Sequence, residues 1–83
     1  MYYVYVIRSE KDLKLYIGFT RYLKKRIIEH NSGKVESTKR RAPFELVYYE
    51  ACRNQYDAIQ REKYLKTTYG HRYLYNRLKN DFS

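Results

Sequence analysis

Glu62 is the residue whose type and position demand the most explanation. Positions 58, 62, 65 and 69 follow the i, i+4, i+7, i+11 spacing of one helix face. Ala58, Leu65 and Tyr69 are apolar or aromatic, and the fourth position is a carboxylate. An unpaired buried carboxylate is costly, so Glu62 needs a cation nearby. That cation could be Arg26, another basic residue or a bound metal; periodicity alone favours a buried or half-buried salt bridge. Arg26 itself falls with Tyr22 and His30 at i, i+4, i+8, a stripe beside the apolar pair Leu23 and Ile27. His30 taken alone reads as a helix-end histidine, favoured by the negative end of the helix dipole. Phenols arrive from two nearby segments, Tyr-Val-Tyr-Val-Ile over residues 3–7 and Leu-Tyr-Ile-Gly-Phe over residues 15–19.

A second concentration of chemistry is basic. Residues 21–41 hold eight Lys or Arg and two Glu, a local excess of six. Arg21, Lys24 and Lys25 read as a solvated basic helix face. The segment 34–43, Lys-Val-Glu-Ser-Thr-Lys-Arg-Arg-Ala-Pro, reads either as a loop kept soluble by charge or as a phosphate-contacting element. On the second reading Lys24, Lys25, Lys34, Lys39, Arg40 and Arg41 are the candidate nucleic-acid contacts. The Ser37 and Thr38 hydroxyls would add neutral hydrogen bonds to phosphate.

The elements that must position these groups follow from patterning. Residues 2–8 are rich in Tyr, Val and Ile and are predicted to be a strand. Tyr3, Tyr5 and Ile7 share one face and Tyr2, Val4 and Val6 the other, so both faces are covered. A polar connection over 9–14 leads to a second strand over 15–19, with Leu15, Ile17 and Phe19 opposite Tyr16 and Gly18. Gly18 leaves room for a close neighbour. Thr20 is predicted to cap a helix over 21–31, which Gly33 ends. Residues 44–52 return to strand character, with Phe44, Leu46 and Tyr48 alternating against Glu45, Val47 and Tyr49. Asn54 caps a helix that runs to Tyr69 and stops at Gly70, with Ala58, Ile59, Glu62, Leu65 and Tyr69 on its buried face. A last short helix covers 71–80, with Tyr73, Leu74 and Leu78 apolar. The order strand, strand, helix, strand, helix, helix predicts an α+β fold, a three-stranded antiparallel sheet flanked by helices.

Bulk properties bound the function. Eighty-three residues suffice for a single small domain, 1–83. Eighteen Lys and Arg against nine Asp and Glu give a formal charge of +9, which points to a polyanionic partner. Twelve tyrosines without a tryptophan can brace a thin core or stack on bases. One cysteine, Cys52, cannot form an internal disulfide and reads as a buried structural thiol in a reducing compartment. With two histidines it cannot build a usual structural zinc site. No segment is apolar for the ~20 residues of a membrane span, and no signal segment opens the chain. The expected location is cytoplasmic, with no membrane partner.

Taken in order, these pieces resemble the GIY-YIG nuclease superfamily over residues 2–79. Tyr3-Val4-Tyr5 resembles the first motif, with Tyr3 where the family name has glycine. Tyr16-Ile17-Gly18 matches the second motif literally, and Arg26 follows at the family's spacing. The run Arg26-Ile27-Ile28-Glu29-His30-Asn31-Ser32-Gly33 is similar to small stand-alone members. Arg61-Glu62-Lys63-Tyr64-Leu65-Lys66 resembles the segment with the metal-binding glutamate, and Tyr75-Asn76-Arg77-Leu78-Lys79 the closing segment. The concurrence resembles the N-terminal incision domain of the bacterial excision-repair nuclease, although Phe19 stands where that nuclease has a lysine.

The resemblance implies a divalent-metal-dependent endonuclease acting on DNA, in repair or processing, and turns the reading of Glu62 from salt bridge to ligand of Mg²⁺ or Mn²⁺. Tyr5 or Tyr16 would accept a proton from the attacking water, and Arg26 would clamp the phosphate. His30 would hydrogen-bond a phenol or share the base role, and Asn76 would orient the glutamate or phosphate. A non-catalytic DNA- or RNA-binding module of the same fold is the alternative. Protein partners supplying target specificity, and a monomer or weak dimer, are compatible with so small a domain.

Overall fold

A computed structural model describes residues 1–83. Its elements run β1 (Tyr2–Ser9), β2 (Leu15–Thr20), α1 (Leu23–Asn31), a 3₁₀ turn (Lys39–Arg41), β3 (Phe44–Cys52), α2 (Gln55–Leu65), α3 (Thr68–Arg77) and α4 (Lys79–Phe82). The strands form one antiparallel sheet in the order β2-β1-β3. The α+β architecture predicted from patterning is the observed one. Central β1 is the strand with apolar residues on both faces, because each face of the sheet carries its own core.

On one face Val4, Val6 and Ile17 pack with Ala58 and Leu65 of α2 and Leu74 of α3. Full burial of a side chain such as Leu65 or Leu74 contributes about 1.5–3 kcal/mol. On the other face Tyr5, Ile7 and Phe44 pack with Tyr16, Leu23, Ile27 and Ala42. The sheet therefore separates α1 from α2 and α3. Tyr5 and Tyr16 are brought to the α1 side by the period-2 alternation of their strands.

Several boundaries differ from the sequence reading. Helix α1 starts at Leu23, not at residue 21, and Tyr22 is its N-cap residue without a side-chain cap. The Thr20 hydroxyl instead accepts from Tyr22 N at 3.0 Å and fixes the turn ahead of the helix. In β3 the register slips between Val6 and Ile7, which pair with Tyr48 and Leu46, so Val47 is the extra residue. The bulge reverses the alternation: Phe44 packs on the α1 side while Tyr48 packs against the α2 core.

Asn54 caps α2 as expected, accepting from Tyr56 N and Asp57 N at 2.8 and 3.3 Å. The helix ends at Leu65, and Gly70 lies inside α3 rather than stopping α2. Tyr69 therefore falls on a helix of different phase and is exposed. Gly70 is required for close approach: a Cβ there would collide with the backbone of Tyr64 and Leu65. Cys52 is half-buried at the edge of the α2 core rather than fully buried.

Candidate active site

The Tyr5 phenol is the hub. Its side chain is 1% exposed, and its ring lies over Gly18, its partner across the β1–β2 ladder. A Cβ on Gly18 would overlap the phenol, so the glycine of Tyr16-Ile17-Gly18 is there to admit Tyr5. Two residues of α1 converge on its oxygen. Arg26 Nε donates to Tyr5 Oη at 3.4 Å, and His30 Nε2 stands 2.8 Å from it. Tyr22, the third member of the sequence stripe, is outside the helix and exposed.

The network assigns its own protons. Arginine only donates, so Tyr5 Oη accepts from Arg26 and gives its own hydrogen to His30 Nε2. At the far side His30 Nδ1 is 2.8 Å from Thr38 Oγ1, and Thr38 donates to Val35 O at 3.5 Å. Thr38 is then free to accept from Nδ1–H. Both ends thus place the imidazole proton on Nδ1 and leave Nε2 as the acceptor.

Electrostatics agree with this arrangement. Burial, with the Arg26 charge adding to it, lowers the His30 imidazole to about 4. The ring stands in the last turn of α1, as a helix-end histidine would, but it is fully buried and neutral near pH 7, so it places no charge on the helix dipole. Burial raises the Tyr5 phenol above its ordinary value, against the lowering pull of the Arg26 hydrogen bond and charge. Arg26 is held charged by its hydrogen bond to Tyr5, despite partial burial, and by Glu29, whose Oε1 lies 3.3 Å from Nη1.

Tyr16 and Phe44 complete the surroundings, their rings edge-on to His30 at centroid distances of 5.1 and 5.9 Å. Tyr16 is half-buried, and its hydroxyl has no protein partner. Asn31 anchors this corner from α1 to β3. Its amide donates to Phe44 O at 3.1 Å, and its oxygen accepts from Phe44 N at 2.6 Å.

Glu62 projects from α2, with its side chain 20% exposed, and its charge reaches the Tyr5 phenol. Its cation is Lys66, one turn on, with Nζ 2.9 Å from Oε2. Arg26, the first candidate for that partnership, pairs with Glu29 instead. No group of three or more His, Cys, Asp or Glu gathers anywhere as a metal cluster. Asn76 sits exposed on α3 and joins none of these hydrogen bonds.

The basic candidates divide. Lys24, Lys25, Lys34 and Arg40 are exposed. Lys39 pairs with Glu36 at 3.1 Å, and its side chain is 41% exposed. Arg41 is engaged at the surface by the chain itself: Nε and Nη2 fork onto the Asp12 carboxylate at 2.8 and 3.3 Å, and Nη2 also donates to Lys14 O. Thr38 is buried on His30, so its hydroxyl does not face solvent as a phosphate donor would. Thr38, Glu29 and Asn31 are the site residues whose roles sequence reasoning missed. Glu29 and Asn31 lay within the run from Arg26 to Gly33, but only the three-residue spacing of Arg26 and Glu29 pointed to a particular contact.

Residues 1–79 match the family described as the GIY-YIG catalytic domain. A UPF0213 protein of Clostridium perfringens (strain 13 / Type A) is 45% identical over 67 residues, covering 80% of this chain and 71% of that protein. A UPF0213 protein of Staphylococcus saprophyticus is 40% identical over 67 residues, 80% of each chain. Another from Pediococcus acidilactici is 41% identical over 68 residues, 78% of this chain and 68% of that one. No solved structure matches the chain.

Proposed function

This chain belongs to the GIY-YIG family, a nuclease-type domain, and from that premise we propose that it is a divalent-metal-dependent endonuclease hydrolysing phosphodiester bonds in DNA. The observation that carries the reading is the convergence of Arg26 and His30 on the buried Tyr5 oxygen, with Tyr16 alongside.

The two phenols take different roles. Tyr5 is closed off and keeps its proton, so it positions: it fixes Arg26 and hands its hydrogen to neutral His30. Tyr16 reaches solvent and has an uncommitted hydroxyl, so it is the phenol that meets the attacking water; it first gives its own proton to solvent and, as the phenolate, takes the water's proton. Arg26 is partly exposed, and Tyr5 and Glu29 engage only its Nε and Nη1, so Nη2 grips a phosphate oxygen. His30 acts through Tyr5, not on the substrate.

Glu62 fits a hard cation such as Mg²⁺ or Mn²⁺, which needs only one or two carboxylates when water and phosphate complete its shell. Lys66, 53% exposed, can swing aside to release that carboxylate. Such an ion, when bound, supplies Lewis-acid polarisation of the phosphate and charge neutralisation at the leaving oxygen. Asn76 is assigned no step.

The existing Lys66–Glu62 ion pair favours a second reading, a nucleic-acid-binding domain that does not cut. A cleavage panel of duplex, branched and single-stranded DNA and of RNA, with Mg²⁺, Mn²⁺ or EDTA, separates the two. Glu62→Gln is expected to lower metal-dependent cleavage by roughly two to three orders of magnitude while nucleic-acid binding persists. Normal cutting by that variant would remove Glu62 from the metal role. Binding without cleavage by the wild type under every condition would select the second reading.

A further inference from the structure

Tyr22 and Tyr49 are 63% and 52% exposed, and the reaction assigned above gives neither a role. Tyr3 and Tyr49 form an aromatic pair, with centroids 6.0 Å apart and planes at 59°. Between them and the start of α1 runs an open groove of about 630 Å³, floored by Leu23 and edged by Arg21, Lys24 and Lys25. No acidic residue lines it. Tyr22 and Lys25 also line the adjoining hollow of about 220 Å³ that contains Arg26 and Glu29. The groove therefore leads to the arginine assigned above to the scissile phosphate.

Aromatic faces interleaved with cations suit a polyanion that has free aromatic faces of its own. A duplex has its bases stacked on one another, so it offers phosphates to the lysines but nothing to the tyrosines. Unpaired nucleotides offer both. A second copy of this chain would fit the apolar floor. It would also set Arg21, Lys24 and Lys25 near cations of a partner carrying the same +9 charge.

We propose that this groove binds a single-stranded stretch of nucleic acid, with unpaired bases stacked on Tyr22 and Tyr49 and phosphates held by Arg21, Lys24 and Lys25. The strand's arrival at Arg26 rests on the nuclease reading; its capture in the groove does not. The favoured substrate would then be single-stranded, or would carry a single-stranded arm.

Fluorescence anisotropy of the full chain in EDTA, where metal-dependent turnover is stopped, tests the groove separately from the reaction. The probes are a labelled oligothymidylate and a duplex of equal length. Wild type is expected to bind the oligothymidylate more tightly than the duplex. Replacing Tyr22 and Tyr49 with Ala together is expected to weaken single-strand binding by about a hundredfold, roughly tenfold for each stack. Duplex binding should stay within about twofold. Tyr22→Phe with Tyr49→Phe keeps the rings and should keep the affinity. Tyr56→Ala, at a 75% exposed position of α2, should change neither. If the double alanine variant melts early, the single Tyr22→Ala change, outside any helix or strand, carries the test with a tenfold loss expected. Equal losses on both probes, no loss, or no binding of oligothymidylate by wild type would overturn the proposal. So would a dimer that Tyr49→Ala abolishes while single-strand binding is unchanged. A wild type that binds in this way but never cuts in the metal panel would leave the groove standing and overturn only the nuclease reading.

Discussion

Hidden from water, the Tyr5–His30 pair has a pH consequence that can be measured. His30 titrates near 6.5 when unfolded and near 4 in the fold. Between those values the unfolded chain holds the extra proton, so stability rises with pH across the window. Its contribution is complete above about pH 6.5 and is lost as pH falls towards 4. A shift of that size corresponds to about 3 kcal/mol. Asp12 adds little in this interval, since Arg41 and Lys14 hold its carboxyl near 2 and its own loss lies lower. Urea melts from pH 7 to pH 4 should show the decline, and an NMR titration should place the His30 midpoint near 4. A midpoint near 6.5 would mean that the imidazole is not enclosed as described. Tyr5, Tyr16 and Arg26 could be singled out from sequence because strand order and helix spacing bring them together locally. The burial of His30 could not, because its second partner, Thr38, comes from a loop whose path no periodicity encodes.

Helix α3 approaches α2 so closely that Gly70 becomes a packing residue. Alanine at this position would gain up to about 1 kcal/mol of helix propensity. Its methyl would meet the Tyr64 carbonyl and the Leu65 backbone, which cannot rotate away as a side chain could. Overpacking of this kind costs roughly 1–3 kcal/mol, so the clash wins. Gly70→Ala is expected to lower the melting temperature by several degrees. It should also blur the Leu74–Leu65 packing that closes the α2-side core. An unchanged or higher melting temperature would show that the helices separate without penalty. The sequence offered Gly70 as a stop signal because glycine serves both purposes and only the neighbouring backbone distinguishes them. The stop is supplied instead by Thr67, whose hydroxyl donates to Tyr64 O and accepts from Gly70 N. The β3 bulge escaped for a similar reason: Val47 fits either face, so its composition did not mark the slip.

At the scale of the molecule, the +9 charge was plain from composition, but which cations are free to act was not. Pairing joins residues far apart in the chain: Asp12 and Arg41 are 29 positions from each other. That pair, with the Ser9 hydroxyl donating to Arg41 O at 2.6 Å and Glu10 N donating to Pro43 O, fastens the 34–43 segment to the β1–β2 hairpin. The fastening also delivers Thr38 to His30. Arg41 is thus already paired within the chain, whereas Lys34 and Arg40 face outward. The two kinds should respond oppositely. Changing Lys34 and Arg40 together to Gln should leave the melting temperature nearly unchanged. It should flatten the dependence of log affinity on log salt by about one unit for each phosphate no longer neutralised. Arg41→Gln should lower the melting temperature and leave the salt slope nearly as it was. Salt titrations and thermal melts on the same three proteins read both quantities. A flattened slope for Arg41→Gln with an intact melting temperature would show that Asp12 gives up its partner to the nucleic acid. An unchanged slope for the double variant would leave the phosphate path to α1 alone, where Lys24 and Lys25 edge the tyrosine groove.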